Sequence, residues 1–215
     1  MIKAVIFDMD GVVVKTGSIH HVAEMKVLKD IGIDITLEEV EFYAGVAAEV
    51  YFKDILKKYK KTVNLKELIK KKYKIVYDIL KDGVPVIPGA LELIQSLKKN
   101  QIKIALASGS PREFVNFVVS KLNLKKVFDA VISLGEITNS KPNPEIFLLA
   151  AKRMNIDSKD CLVIEDAHLG VLAAKNAGMK CIGFINKDSG DQDLSKADLI
   201  VDDLNEITLD KIQNL

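Results

Sequence analysis

Apolar and polar positions alternate in blocks along the chain, and the lengths of the blocks distinguish strands from helices. Short continuous apolar runs, rich in β-branched residues, predict buried strands of a parallel sheet. These runs lie at 4–7, 103–108, 130–133, 161–164, 180–184 and 199–201. Longer segments with apolar residues at helical spacing follow most of them. Strands that alternate with helices predict an α/β fold with a doubly wound parallel sheet.

The segment between the first two strands has a different pattern. Residues 15–85 carry helical periodicity and no strand signal, with helices predicted at 21–30, from 37 onward, at 47–59 and at 64–80. Thr36 and Glu39 match a capping box for the second of these helices. Turn residues at 82–85 and 88–89 mark the return to the sheet. We therefore predict a core of residues 1–14 and 86–215, with a helical cap, residues 15–85, inserted after the first strand.

Four further helices are predicted after the return, at 90–99, 111–122, 144–154 and 169–177. The segment Asn143-Pro144-Glu145 places a proline near the start of the third of these helices. Ser110-Pro111-Arg112-Glu113 matches a capping box, with Ser110 as the cap. This assignment would leave the nearby hydroxyl of Ser108 free for another task.

Net charge, apolar stretches and cysteines limit which partners and which cellular location are expected for the protein. The formal net charge of +1 gives no reason to predict a nucleic-acid or anionic-membrane partner. No apolar stretch reaches membrane-spanning length, and the first residues lead straight into a strand without a signal-peptide pattern. Cys161 and Cys181 lie in apolar runs and are expected to be buried thiols. We expect a cytoplasmic monomer.

Two carboxylates stand at the end of the first strand. Asp8 and Asp10 are two residues apart, so their side chains point the same way, and Gly11 then permits a sharp turn. Ligands of open α/β sheets bind outside the carboxyl ends of the strands. Mg2+ can neutralise such a pair, one carboxylate can act as a nucleophile, and the other can act as a general acid and base if its pKa is raised. The alternative is a loop with two solvated acids.

Other predicted strands also end in polar residues. Ser108 follows the second strand, Lys141 lies in the loop after the third, and Glu165 and Asp166 follow the fourth. Taken singly, each has an ordinary structural explanation as a strand end, a solvated loop lysine or acids at a helix start. Together they supply a hydroxyl, a cation and acids at successive strand ends, which is what phosphoryl transfer needs.

In this order, the motifs Asp8-Met9-Asp10-Gly11, Ser108, Lys141 and Glu165-Asp166 resemble those of the haloacid-dehalogenase-like hydrolases. The resemblance covers nearly the whole chain, including the helical insert. Thr16, His20 and Gly45-Val46 make the chain most similar to the branch of β-phosphoglucomutase, phosphoglycolate phosphatase and their phosphatase relatives.

The resemblance implies a role for each matched residue. Asp8 would be the nucleophile and Asp10 the general acid and base. Mg2+ would be the cofactor, held by Asp8, the backbone carbonyl of Asp10 and Asp166, with Glu165 beside it. The phosphate would be bound by Ser108, Lys141 and the backbone N–H groups of Met9, Asp10 and Gly109. Thr16 and His20 would couple cap closure to the site.

The activity implied is hydrolysis of small phosphorylated metabolites through an aspartyl phosphate. A sugar phosphomutase of the β-phosphoglucomutase type is the alternative, and a receiver-like signalling domain is a non-enzyme alternative. Ala48 stands where the mutase carries an arginine for a second phosphate, and Pro111 replaces a lysine, which favours a phosphatase. Lys72, in a run of three lysines, is expected to be solvated.

Overall fold

A computed structural model describes all 215 residues, and its centre is a single parallel sheet. The six strands have the order β3-β2-β1-β4-β5-β6. They are β1 (Ala4–Phe7), β2 (Lys103–Ala107), β3 (Ala130–Ile132), β4 (Cys161–Glu165), β5 (Lys180–Phe184) and β6 (Leu199–Val201). All neighbouring strands pair in parallel, so the predicted fold class is confirmed.

The helices fall close to their predicted positions. They are α1 (Gly17–Asp30), α2 (Leu37–Glu41), α3 (Ala48–Lys58), α4 (Leu65–Leu80), α5 (Ala90–Lys99), α6 (Arg112–Lys121), α7 (Glu145–Met154), α8 (His168–Asn176) and α9 (Leu209–Gln213). The first helix begins four residues before its predicted start. The last helix was not predicted, because five residues are too few to show a helical period.

Successive side chains of β1 point to opposite faces of the sheet and pack into two apolar layers. Val5 and Phe7 belong to a cluster on one face of the sheet, together with residues of α5 and α6. Ala4 and Ile6 belong to a cluster on the other face, with residues of α7 and α8. All four β1 residues are buried, as expected for a strand covered on both faces. The central strand is therefore held rigidly, and so is the loop that leaves its end.

Helices α1 to α4 lie between β1 and α5 in the chain, and part of this insert has an apolar cluster of its own. The segments that enter and leave it run side by side. Val14 and Val86 form an antiparallel bridge, and the Lys15 N–H donates to the Pro85 carbonyl at 2.8 Å. This junction coincides with the boundaries predicted for the cap. The division of the chain into core and cap remains a prediction.

Two predicted capping boxes are incomplete. Thr36 accepts a hydrogen bond from the Glu39 N–H, but the Glu39 carboxylate binds Lys58 and Tyr59 instead of returning to Thr36. Pro111, not Ser110, is the N-cap of α6, and it supplies no side-chain acceptor.

No helix of the structure is both long and apolar enough to span a membrane.

Candidate active site

The candidate site lies at the carboxyl end of β1, where the connections of the sheet change direction. Strand β2 pairs with one edge of β1 and β4 with the other, so the ends of all three strands converge. Asp8 follows β1 directly, and its N–H donates to the Ile164 carbonyl at 3.0 Å. A cavity of ≈ 120 Å³ opens between these ends and the insert. Its polar lining includes Asp8, Asp10, Ser110, Lys141, Glu165 and Asp166.

Lys141 joins two strand ends through its ammonium group. Its Nζ donates to Asp8 Oδ1 at 2.5 Å and to Glu165 Oε1, and all three side chains are buried. Burial raises the pKa of Asp8 well above its usual value; Lys141 opposes this shift, and the carboxylates of Glu165, Asp166 and Asp10 add to it. The pKa of Lys141 is raised because its two carboxylate partners outweigh burial, which alone would lower it.

Both carboxylate oxygens of Glu165 accept hydrogen bonds from the protein. Its Oε2 accepts the N–H groups of Asp166 and Ala167 at 2.9 and 3.0 Å, while Oε1 accepts from Lys141. A Cβ on Gly170 of α8 would lie 1.8 Å from Oε1, so only glycine leaves room for this carboxylate. In this geometry Glu165 contacts Lys141 directly, and its predicted place beside the metal stays a prediction.

Asp166 points into the cavity from the same strand end. Its Oδ2 accepts hydrogen bonds from the Ser189 hydroxyl and from Asn186 Nδ2 at 3.2 Å. Burial and the nearby charge of Glu165 raise the pKa of Asp166 to about 7, although these two hydrogen bonds oppose the rise. Gly11 has a φ of +94°, and a Cβ there would lie 1.9 Å from the same oxygen. Ser189 and Asn186 were not predicted as site residues, although Asn186 lies two residues past the end of β5, at the same edge of the sheet.

The carboxylate of Asp10 is surrounded by donors. Oδ1 accepts from Thr16 Oγ1 at 2.6 Å and lies 3.3 Å from His20 Nε2, so both predicted insert residues reach the site. Oδ2 accepts from Ser110 Oγ at 2.9 Å and from Ser108 Oγ at 3.3 Å. Burial would raise the pKa of Asp10, but His20, Thr16 and Ser110 together lower it to about 2.

The Ser110 contact corrects the sequence analysis. Ser110 does not cap α6; its hydroxyl serves Asp10, and its N–H donates to Ser108 Oγ at 3.0 Å. The local Ser-Pro-Arg-Glu pattern matches a capping box equally well, so the sequence alone could not reveal this contact.

Backbone donors also remain available next to the carboxylates. The N–H groups of Met9, Asp10 and Gly109 make no hydrogen bond to another backbone group, and both Asp10 and Gly109 line the cavity. Unpaired N–H groups near a positive-φ glycine are typical of anion-binding concavities. The position of these groups therefore suits the phosphate contacts predicted for them, while the Met9 side chain packs in the core.

The donor set suits a hard divalent cation. Asp8 and Asp166 offer carboxylate oxygens, and the four acids at the strand ends outnumber the one cation beside them, Lys141. The pKa values of Asp8 and Asp166 are raised in part by this mutual repulsion, which a cation would relieve. No three His, Cys, Asp and Glu side chains form a ready metal cluster. Mg2+ needs only one or two carboxylates, completed by backbone, phosphate and water oxygens.

The insert forms the opposite wall of the cavity. His20 packs its ring against Tyr73 and Phe114, with centroids 5.9 and 5.3 Å away. Lys72 was expected to be solvated, yet it is 4% exposed, lines the cavity and pairs with Glu24. His21 also lines the cavity. His168 lies outside it and contacts the Asp193 carbonyl at 2.8 Å.

The fold and the cavity define a class of protein: a doubly wound α/β protein with a carboxylate-rich site at the switch point of its sheet. The family model described as "Haloacid dehalogenase-like hydrolase" matches residues 5–184. The chain belongs to this family.

Individual relatives place the chain within one branch of the family. It is 32% identical to a phosphorylated carbohydrates phosphatase of Thermotoga maritima, over 84% of this chain and 83% of the relative. It is also 32% identical to a β-phosphoglucomutase of Bacillus subtilis, over 97% and 92%. The match to a longer chloroplast protein of Arabidopsis thaliana, SUPPRESSOR OF QUENCHING 1, is 33% identical over 98% of this chain but covers only 20% of that protein.

A solved structure agrees with this placement. The crystal structure of a β-phosphoglucomutase from Clostridium difficile superposes with a TM-score of 0.89 at 32% identity. The match covers 100% of this chain and 96% of the other. Both the fold and the helical insert are therefore shared with this branch.

Proposed function

We propose that this protein is a Mg2+-dependent phosphatase that hydrolyses small phosphate monoesters through an aspartyl phosphate on Asp8. One observation carries the proposal: a buried Asp8 ends the central strand, is bridged by Lys141 to Glu165, and faces Asp166 across one cavity. Family membership and the phosphatase named among the relatives support the same reaction class.

In the first step, an Asp8 oxygen attacks the phosphorus of the substrate, and the bond from phosphorus to the leaving oxygen breaks. Lys141 holds Asp8 in position and offsets the negative charge that would repel a phosphate dianion. The hydroxyl of Ser108 and the free N–H groups of Asp10 and Gly109 would receive the phosphoryl oxygens. Mg2+, when bound by Asp8, Asp166 and the Asp10 carbonyl, would neutralise further charge on the phosphate.

In the second step, water attacks the aspartyl phosphate, the bond between phosphorus and Asp8 breaks, and inorganic phosphate leaves. Asp10 is ionised in the present arrangement and can take the proton from this water. To protonate the leaving oxygen in the first step, Asp10 must first gain a proton. A bound phosphate would raise its pKa by repulsion, and movement of Thr16 and His20 with the insert would remove two of its donors.

A sugar phosphomutase is the second candidate, because two of the similar proteins are β-phosphoglucomutases. It would use the same aspartyl phosphate but deliver the phosphoryl group to a sugar hydroxyl. Ala48 gives the cavity wall no side-chain donor for a second phosphate, and this favours water as the acceptor. The inserted helices and the family leave the receiver-like alternative without support. A small phosphorylated substrate, a monomeric state and a cytoplasmic location remain predictions.

A screen of phosphate monoesters tests the proposal. Purified protein is incubated with each compound, with Mg2+ or with EDTA, and released phosphate is measured. We expect release from a subset of sugar and polyol phosphates, only with Mg2+ present. Equal release in EDTA would contradict the metal dependence. Failure to release phosphate from any compound while glucose 6-phosphate forms from glucose 1-phosphate would support the mutase instead.

A further inference from the structure

A second buried ion pair lies in the cavity, on the side of the insert. Lys72 Nζ on α4 lies 2.6 Å from Glu24 Oε1 on α1, and both residues line the cavity. Lys72 is 4% exposed and Glu24 9%, so neither is a surface charge. Neither residue contacts Asp8 or Lys141. The proposed chemistry at Asp8 makes no use of this pair.

The pair does not have an obvious stabilising purpose. Removing two charges from water costs several kcal/mol per ion, and a buried pair often stabilises a fold no more than apolar residues of similar volume. Burial alone would lower the pKa of Lys72, yet Glu24, together with Tyr73 and Asp10, outweighs burial and the pKa is raised. Lys72 is therefore a full cation whose charge is matched by Glu24.

We infer that Glu24 is a specificity-determining residue: by engaging Lys72, it makes this wall polar but electrically balanced, and selects substrates whose leaving group carries hydroxyls and no second anionic group. The inference rests on the proposed function. A distal phosphate or carboxylate would have to displace Glu24 from Lys72 and would then meet the Glu24 charge.

The neighbours of the pair suit hydroxyl groups. Burial lowers the pKa of His21, so its imidazole is neutral at pH 7 and can both donate and accept hydrogen bonds. Glu24 retains a second carboxylate oxygen that can accept a hydrogen bond, and Lys72 retains donors beyond the one facing Glu24. A polyol phosphate offers both kinds of partner to this wall.

The test uses two substrates that differ in one distal group. Glucitol 6-phosphate and 6-phosphogluconate have the same chain length, but one ends in a hydroxymethyl group and the other in a carboxylate. For the unmodified protein, kcat/KM should be higher with glucitol 6-phosphate. Glu24→Gln frees the Lys72 charge, and the ratio should move toward 6-phosphogluconate by about tenfold or more, the usual size of a charge-assisted hydrogen bond.

A double variant separates charge balance from general disturbance. In Glu24→Gln/Lys72→Gln the freed cation is absent, so the ratio should return toward that of the unmodified protein. Glu49→Gln is the matched control, because Glu49 also pairs with a lysine of the insert, Lys53, but is exposed and lies outside the cavity. It should leave the ratio unchanged. Circular dichroism checks that each variant is folded.

The same ratio can be measured without turnover. In an Asp8→Asn background, calorimetric dissociation constants for the two compounds report selectivity even if neither is hydrolysed. If the compounds are not hydrolysed but Glu24→Gln still shifts the binding ratio, the result would count against the proposed function and support the inference. An unchanged ratio in folded Glu24→Gln, by kinetics and by binding, would overturn the inference and leave the phosphatase proposal intact.

Discussion

Two buried lysines face the same cavity, and they differ in how they are held. Lys141 lies in a loop after β3 and bridges carboxylates from two strand ends, Asp8 and Glu165. Lys72 lies within helix α4 and pairs with the single carboxylate of Glu24 on α1. The first is fixed by the rigid sheet, next to the proposed nucleophile. The second depends on how two helices of the insert pack.

The difference separates chemistry from selectivity. Lys141 cannot move away without leaving two buried carboxylates unpaired. It is therefore suited to a constant task, the neutralisation of charge in every turnover. A cation with one partner can be redirected by a single substitution at that partner. The sheet side of the cavity is therefore suited to a common reaction, and the insert side to the choice of substrate.

The largest expected effect is on the sheet side, at Asp8. Asp8→Asn is nearly isosteric but cannot attack phosphorus, so phosphate release should fall by about three orders of magnitude or more, to background. Phosphate release under saturating Mg2+ measures this. Asp78→Asn, on the exposed face of α4, is the control and should retain full activity. Substantial turnover by purified Asp8→Asn would refute the nucleophile assignment.

The second prediction compares the two lysines directly. Lys141→Gln leaves Asp8 and Glu165 facing each other, so kcat should fall by about 10²–10³-fold. Lys72→Gln removes a group that pairs with Glu24 and not with Asp8, so its kcat should fall less than about tenfold while KM changes. Steady-state kinetics on one good substrate gives both values.

Stability measurements support this comparison. Lys141→Gln leaves two buried carboxylates without their partner and Lys72→Gln leaves one, and breaking a buried pair typically costs about 3–5 kcal/mol. Both variants should therefore show a lower midpoint of thermal unfolding. A kcat that falls equally in the two variants would remove the distinction between the two sides.

The third prediction concerns the metal. Asp166→Ala removes a carboxylate that the structure aims into the cavity with Ser189 and Asn186. The Mg2+ concentration for half-maximal activity should rise by about tenfold or more, and calorimetry should show weaker Mg2+ binding. Asp188→Ala is the matched control, since Asp188 lies nearby and pairs with Lys15 without lining the cavity. An unaltered Mg2+ requirement in Asp166→Ala would exclude Asp166 as a ligand.

The same contrast explains what could be predicted from the sequence. Asp8, Ser108, Lys141 and Asp166 could be grouped in advance, because parallel strands bring their carboxyl ends to one edge of the sheet. The pairing of Lys72 with Glu24 could not, since helical spacing puts Lys72 on the face of Leu68 and Val76 but does not indicate which residue of another helix it meets. Side chains of an insert are placed by packing between helices, which local periodicity does not encode.

Short-range patterns misled in a second way. Ser110 fits a capping box, but the strand before it delivers its hydroxyl to Asp10, a residue 100 positions earlier in the chain. The contact of Glu165 with Lys141 was likewise not predicted, because the two residues are 24 positions apart. In both cases the contact is made by a partner distant in sequence, which a local pattern does not show.

The smallest expected effect tests whether the insert side can accept a second phosphate. A mutase must hold a sugar bisphosphate, but Ala48 at the start of α3 has no charged side-chain donor, and Lys72 is engaged by Glu24. A charge-assisted hydrogen bond contributes ~1.5–3 kcal/mol, so its absence disfavours the bisphosphate against water.

Given β-glucose 1-phosphate and a trace of glucose 1,6-bisphosphate, the protein should release phosphate and form little glucose 6-phosphate. Ala48→Arg should raise the fraction of glucose 6-phosphate severalfold, whereas Ala48→Met, of similar bulk without charge, should not. Efficient formation of glucose 6-phosphate by the unmodified protein would show that Lys72 leaves Glu24 to bind the second phosphate.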